Sequence, residues 1–185
     1  MKNTCETCYL SIFNRRTAGR EGGCTPTPAK SILFISESPT ITDIKNNDLL
    51  TGRSTKLLSQ YIEDYKLTYW TRKTTLIQCY CPQFDETYAE KCFPNLVKII
   101  KDLNPTIIVA VGKTVYKFLK DEDSINMKRV VNKISIYGNS ILIPIYSPVK
   151  IIRDKCQSEY VKSFQLIGNV FADICREYKW IKPEY

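Results

Sequence analysis

The sequence predicts an α/β fold, a three-layer sandwich with helices on both faces of a central, mostly parallel four-stranded sheet. Three observations carry that prediction. Ser31–Ser36 and Thr106–Gly112 are short, continuous apolar runs, the pattern of strands buried on both faces. Helical periodicity recurs between such runs, as parallel β-α units require. With 43% hydrophobic and 25% charged residues, the 185-residue chain is globular and long enough to bury a core without disulfide staples.

Taken in order, residues 1–30 form an N-terminal cysteine-containing loop region of one domain that spans 1–185. Thr17 to Pro28, with Gly19, Gly22, Gly23, Pro26 and Pro28, is loop. The strand Ser31–Ser36 ends at Glu37-Ser38-Pro39-Thr40, where proline stops it. A polar stretch, Thr42–Thr51, leads to Gly52 and Arg53. A helix over Ser54–Lys66 places Leu57, Leu58, Tyr61, Ile62 and Tyr65 on one face. Thr74–Cys79 is the second strand, broken by Cys81-Pro82. A helix over Glu86–Leu103 turns Cys92, Leu96, Ile99 and Ile100 inward. After the strand at Thr106–Gly112 come a short helix, Lys113–Lys120, and a hairpin, Lys133–Tyr137 and Ile141–Ile145, with Gly138-Asn139 in the turn. The last helix covers Glu159–Tyr178. Ligands in such sheets bind beyond the carboxyl ends of the strands. The loops that matter are therefore Ser36–Thr51, Cys79–Glu86, Gly112–Thr114 and Tyr146–Arg153.

Charge and composition narrow the chemistry. There are 27 Lys and Arg against 19 Asp and Glu, a formal net charge of +8, which favours a polyanionic partner, nucleic acid first. Histidine is absent, so an imidazole base, a Ser-His-Asp triad and a His-ligated zinc are all excluded. No run approaches the roughly 20 apolar residues of a membrane span, and Met1–Glu6 lacks the apolar stretch of a secretory signal. The expected setting is cytoplasmic, with no membrane association. The abundance of Lys, Ile and Asn suits an AT-rich genome such as that of a phage or mobile element.

Eight cysteines, at 5, 8, 24, 79, 81, 92, 156 and 175, suggest thiolate metal ligation before disulfides in an unsecreted chain. Cys5-x-x-Cys8 can share one metal or cluster. Cys79, Cys81 and Cys92 compete to supply the second pair, around an iron–sulfur cluster or a zinc ion. Cys156 and Cys175 read as small core hydrophobes.

In order along the chain, the motifs are Cys5-Glu6-Thr7-Cys8, Ile32–Pro39, Thr51-Gly52-Arg53-Ser54, Gln78-Cys79-Tyr80-Cys81-Pro82, Cys92-Phe93-Pro94, Asn104–Gly112 and Tyr146-Ser147-Pro148. This series resembles the uracil-DNA glycosylases that carry a [4Fe–4S] cluster. Their pattern runs Cys-x-x-Cys, Gly-Glu-x-Pro-Gly, Lys-Cys-x-Pro, a fourth cysteine, a Pro-x-Ile-Ile-Val-x-Leu-Gly strand and a late His-Pro-Ser. The resemblance covers about residues 5–175.

It implies cluster ligands at Cys5, Cys8, Cys79 and Cys92, with Cys81 as the alternative to Cys79 and zinc as the alternative metal. It implies a DNA N-glycosylase that flips a base, with Glu37 positioning or activating water. The family's histidine aligns with Ser147, which donates a hydrogen bond but carries no charge. The asparagine that reads uracil aligns with Thr75. The stacking aromatic falls near Leu49 or Leu50, leaving Phe34, Tyr80 or Tyr146 to replace it. Ser38, Pro39, Gly52, Arg53, Lys113-Thr114, Ser147 and Pro148 correspond to loops that grip the DNA backbone, and Lys150 and Arg153 to a segment near the duplex. Arg15-Arg16 with Arg20, and Lys128-Arg129, would add salt-sensitive affinity. Those departures leave a second expectation, a glycosylase-fold protein without turnover that holds DNA or a replication or repair partner. A third is a zinc-stapled α/β protein outside this family.

Overall fold

The computed structural model describes residues 5, 8–10 and 30–177. The expected loop at Thr17–Pro28, the cluster at Arg15, Arg16 and Arg20, and Tyr178 lie outside the described residues. Four parallel strands form the sheet: β1 (Ile32–Ser36), β2 (Thr71–Thr75), β3 (Ile107–Val111) and β5 (Ser140–Ile145). A fifth, β4 (Ser135–Tyr137), pairs antiparallel with β5 at the edge, giving the order β2-β1-β3-β5-β4. The sheet thus has five strands where four were expected, because the hairpin at Gly138-Asn139 adds its first arm to the edge.

The helices are α1 (Ile41–Asn46), α2 (Lys56–Asp64), α3 (Glu86–Leu103), α4 (Lys113–Lys120), α5 (Met127–Val130), α6 (Pro148–Arg153) and α7 (Gln157–Glu177), with one 3₁₀ turn at Thr68–Trp70. The period-2 alternation of the strands builds two apolar layers. Ile32, Phe34, Ile107, Val109, Ile143 and Ile145 face the layer that holds α2, α6 and α7. Leu33, Ile35, Ile108, Ala110 and Leu142 face the layer under α3 and α4. In the first layer Phe164 of α7 stacks on Phe34 and Tyr61, with centroids 6.0 and 5.3 Å away. This aromatic packing seats the last helix against the middle of the sheet.

The second strand lies earlier than the sequence suggested, at Thr71–Thr75 rather than Thr74–Cys79. Its residues, Thr-Arg-Lys-Thr-Thr, carry no apolar signal. As an edge strand it buries polar groups that find local partners. Thr71 Oγ1 donates to the Leu67 carbonyl at 2.9 Å, and Arg72 Nη1 to the Thr71 carbonyl at 3.0 Å. Lys73 pairs with Asp48 at 3.2 Å. The apolar Leu76 and Ile77 just beyond are fully buried and extend the ladder, donating to the Ser36 and Glu37 carbonyls at 2.8 and 2.9 Å.

Two short helices, α1 and α6, form where the sequence suggests only loop. Each begins with a capping signature: Thr40 to Asp43 form a reciprocal capping box, and Ser147 caps α6 with Pro148 in its first turn.

Candidate active site and thiol cluster

The strand order places the working edge. From β1 the chain crosses to β2 on one side; from β3 it continues towards β5 on the other. The crevice between the carboxyl ends of β1 and β3 is therefore the switch point of the sheet. Continuing the registers by one or two residues brings Leu76, Glu37, Gly112 and Tyr146 side by side along that rim.

Glu37 is half-buried. Its backbone carbonyl is held by Ile77 N–H at 2.9 Å. Its carboxylate makes no hydrogen bond or ion pair with any described residue. Beside it, Gly112 opens α4 with φ +96, a left-handed conformation suited to glycine, and no side chain caps that helix. The uncapped amides of the first turn put partial positive charge on the rim. A Cβ at Gly112 would lie 3.3 Å from Cβ of Ser147, so these two backbones meet closely. Ser147 Oγ accepts the Lys150 N–H at 3.4 Å as the cap of α6, and its own O–H remains available to donate.

Several expected base-pocket residues are packed away. Thr75 is 1% exposed, and its carbonyl accepts from the Gln78 side chain. Leu49 and Leu50 sit in the apolar layer with Phe34 and Tyr146. Tyr146 is 8% exposed, and its carbonyl accepts the Tyr160 hydroxyl at 3.0 Å. Tyr80 is the half-buried aromatic in the rim loop after β2.

The loops expected to hold DNA frame this crevice. Ser38 and the buried Pro39 follow Glu37; Gly52 is buried and Arg53 exposed just before α2. Pro148 is buried at the start of α6. Lys113 is exposed on α4, as are Lys128 and Arg129 on α5. Lys150 and Arg153 share one counterion, since Asp154 pairs with Lys150 Nζ and, at 2.8 Å, with Arg153 Nε. Arg153 and then Lys150 hold the Asp154 carboxyl down to about 2, so it stays charged at any ordinary pH. Lys150 Nζ also lies 5.1 Å from the Tyr146 ring centre.

Asp154 therefore competes with any phosphate for two cations. Its partners are largely solvated, so the effect is modest. Asp154→Asn is expected to tighten DNA binding about threefold and to steepen the salt dependence by about one charge. Titrations at two salt concentrations check this, and an unchanged slope places both cations away from phosphates.

Cys8, Cys79, Cys81 and Cys92 are buried in the layer beneath α3, and Cys5 is half-buried at its margin. None of the seven described cysteines is joined in a disulfide. Burial pushes the Cys92 thiol up, and Cys5 and Cys8 add to the rise, so thiols of the N-terminal segment and α3 sense one another. Asn95, one turn beyond Cys92, donates through Nδ2 to Cys5 Sγ at 3.4 Å. Burial also pushes Cys81 up, with Asp85 and Glu37 adding to it. Its thiol donates to the Gln83 carbonyl at 2.8 Å. Among the described residues no three Cys, Asp or Glu side chains converge as a single bound ion would need. Cys156 and Cys175 pack against the opposite layer, as expected of small hydrophobes.

A cleft of about 410 Å³ lies at the other end of the sheet, between the carboxyl end of α3 and the β4–β5 turn. No described helix is long and apolar enough to cross a membrane.

The fold and rim define an α/β protein with a thiol-rich layer under one face of its sheet and a crevice at the sheet's switch point. Residues 24–173 match the profile of the uracil DNA glycosylase superfamily, and the chain belongs to that family. It is similar to the type-4 uracil-DNA glycosylase of Thermotoga maritima, 24% identical over 185 residues covering 97% of this chain and 91% of the relative. The type-4 uracil-DNA glycosylase of Saccharolobus solfataricus is 29% identical over 164 residues, covering 78% and 70%. That of Archaeoglobus fulgidus is 25% identical over 151 residues, covering 75% and 76%. The expectation of a zinc-stapled protein outside this family is thereby overturned.

Asp43 is the residue that sequence reasoning missed. It is buried in α1 and bonded to Thr40 before that helix and to Thr51 and Gly52 after it; its sequence signal is the Thr-x-x-Asp capping box.

Proposed function

We propose that this protein is a DNA glycosylase that excises uracil in repair, using Glu37 on the carboxyl rim. The observation that carries the reading is the Glu37 carboxylate, without a hydrogen bond or ion pair among the described residues, at the switch point beside Gly112 and Ser147 in a member of the uracil DNA glycosylase superfamily. A carboxylate there accepts a hydrogen bond from water and stabilises positive charge on the sugar. The water oxygen bonds to C1′ as the C1′–N bond breaks. The electron pair of that bond leaves with the base, and the water proton passes to Glu37 or solvent. The Ser147 O–H and the first turn of α4 face the departing anion.

Cys5, Cys8, Cys79 and Cys92 would hold a [4Fe–4S] cluster. The donor set fits: soft thiols from three segments gather in one apolar layer of a histidine-free chain. The cluster would supply structural cross-linking, tying the N-terminal segment to α3 and the loop after β2. Iron and sulfide analysis tests this, and four-thiolate zinc is the outcome that replaces it.

Detection of free uracil released from a strand carrying one uracil, with a thymine strand as control, tests the activity. An intact strand under enzyme excess contradicts it. Ser147→His is expected to raise the excision rate about tenfold, since a cationic donor stabilises the leaving anion better than a hydroxyl. The substitution also removes the α6 cap, at a cost of about 1 kcal/mol. A single-turnover rate that stays flat shows that base departure takes no help from this position.

A second reading follows from the burial of Thr75, Leu49, Leu50 and Tyr146. A pocket whose base-reading positions face the core suits a protein that holds DNA, or a replication or repair partner, without turnover.

A further inference from the structure

The most heavily bonded side chain near the rim is a carboxylate outside the reaction as described. Asp43 is 2% exposed and pairs with no Lys or Arg among the described residues. Its Oδ2 accepts from Thr40 N at 2.7 Å and Thr40 Oγ1 at 2.8 Å. Its Oδ1 accepts from Thr51 N at 2.7 Å, Thr51 Oγ1 at 2.9 Å and Gly52 N at 3.2 Å. Five donors thus satisfy a buried charge that would otherwise be costly.

The capping box of α1 needs only the bonds to Thr40. The three bonds to Thr51 and Gly52, eight and nine residues onward, do no capping. They tie the end of the loop to its beginning. The contact is close enough to explain the glycine: a Cβ at Gly52 would lie 2.6 Å from Thr40 Oγ1. Pro39 precedes Thr40, and Arg53 follows Gly52.

We propose that Asp43 is a positioning residue that holds Ser38-Pro39 and Gly52-Arg53 at a fixed separation, so that both segments meet the backbone of one DNA strand together. The inference rests on the glycosylase reading for its ligand, and on the hydrogen bonds for its mechanism. Asn in place of Asp offers one acceptor oxygen and turns the other into a donor, so N–H groups on one side of the tie lose their partner. Glu37 is untouched, so affinity for DNA and speed of the bond-breaking step respond separately.

The test compares wild type with Asp43→Asn and the milder Thr51→Val, using a DNA duplex with one uracil and trypsin as a probe of the Arg53 bond. Asp43→Asn is expected to weaken DNA binding about tenfold and to speed cleavage after Arg53 by a similar factor, with the single-turnover rate at saturating protein within about threefold of wild type. Thr51→Val, which keeps the Thr51 N–H bond, is expected to weaken binding about threefold and covers the case in which Asp43→Asn does not fold. Wild-type affinity in either folded variant overturns the proposal. So does unchanged cleavage at Arg53 in Asp43→Asn. A wild type that fails to bind DNA refutes the glycosylase reading, and the role of these segments with it; the trypsin comparison separates that result from a failure of the carboxylate to hold the loop.

Discussion

Glu37→Ala is expected to slow single-turnover excision by about 10²- to 10⁴-fold while leaving DNA affinity within about twofold. The two halves of that expectation have separate origins. Glu37 carries the only function assigned to a carboxylate at the crevice between β1 and β3, and Ser147 cannot replace it because a hydroxyl does not stabilise a cationic sugar. Its side chain holds no other described residue in place, so its loss should leave the rim intact. Nor does an anion help to bind polyanionic DNA. The expected pattern is opposite to that of Asp43→Asn, which changes affinity and spares rate. Glu37→Ala protein that excises at the wild-type rate would move the working carboxylate elsewhere, and weakened binding with normal rate would make Glu37 a structural residue.

Cys92→Ala is expected to abolish metal retention and to lower the midpoint of thermal unfolding by about 10 °C, equivalent to about 3–4 kcal/mol at this chain length. Cys92 sits on α3 in the apolar layer that also holds Cys8, Cys79 and Cys81. The Cys92 thiol resists ionisation, since burial pushes it up. A bound metal centre reverses that preference by supplying positive charge at the sulfurs. With Cys92 a ligand of the proposed cluster, its replacement would remove a cross-link among three segments as well as a small core side chain. Cys81→Ser is expected to keep the metal, because that thiol is engaged with the Gln83 carbonyl. Cys156→Ala, in the opposite layer, should keep it as well. Metal analysis and thermal melts of the three variants check the set; metal loss confined to Cys81→Ser would exchange the roles of Cys79 and Cys81.

Much of this architecture is legible before any coordinates. β1 and β3 announce themselves because strands buried on both faces have no polar residue to confuse the pattern. α3 and α4 match their expected bounds, since both carry a clean apolar stripe and end at Asn104 and Asp121, each in the left-handed conformation. β2 is misplaced for the converse reason: its residues are polar, satisfied by the Leu67 and Thr71 carbonyls and by Asp48, and the apolar signal belongs to the segment just after it. Glu37 and the thiols are candidates that motif order raises. Asp43 is not, because its importance comes from Thr51 and Gly52 folding back onto it. The burial of Leu49, Leu50 and Tyr146 is likewise a tertiary fact, set by which way the loop after α1 and the end of β5 turn.

A glycosylase of this sequence would have to break the glycosidic bond without any histidine. The direct measurement is single-turnover excision from labelled single- and double-stranded DNA with one uracil, followed by alkaline scission, beside the Thermotoga maritima relative under the same conditions. Wild type is expected to reach complete conversion at a rate about 10²- to 10³-fold below that relative, the size of effect that follows when one stabilising donor is lost. Uncut strands on both substrates, from protein that still binds them in a salt-dependent manner, would contradict it and leave a DNA-holding member of the family.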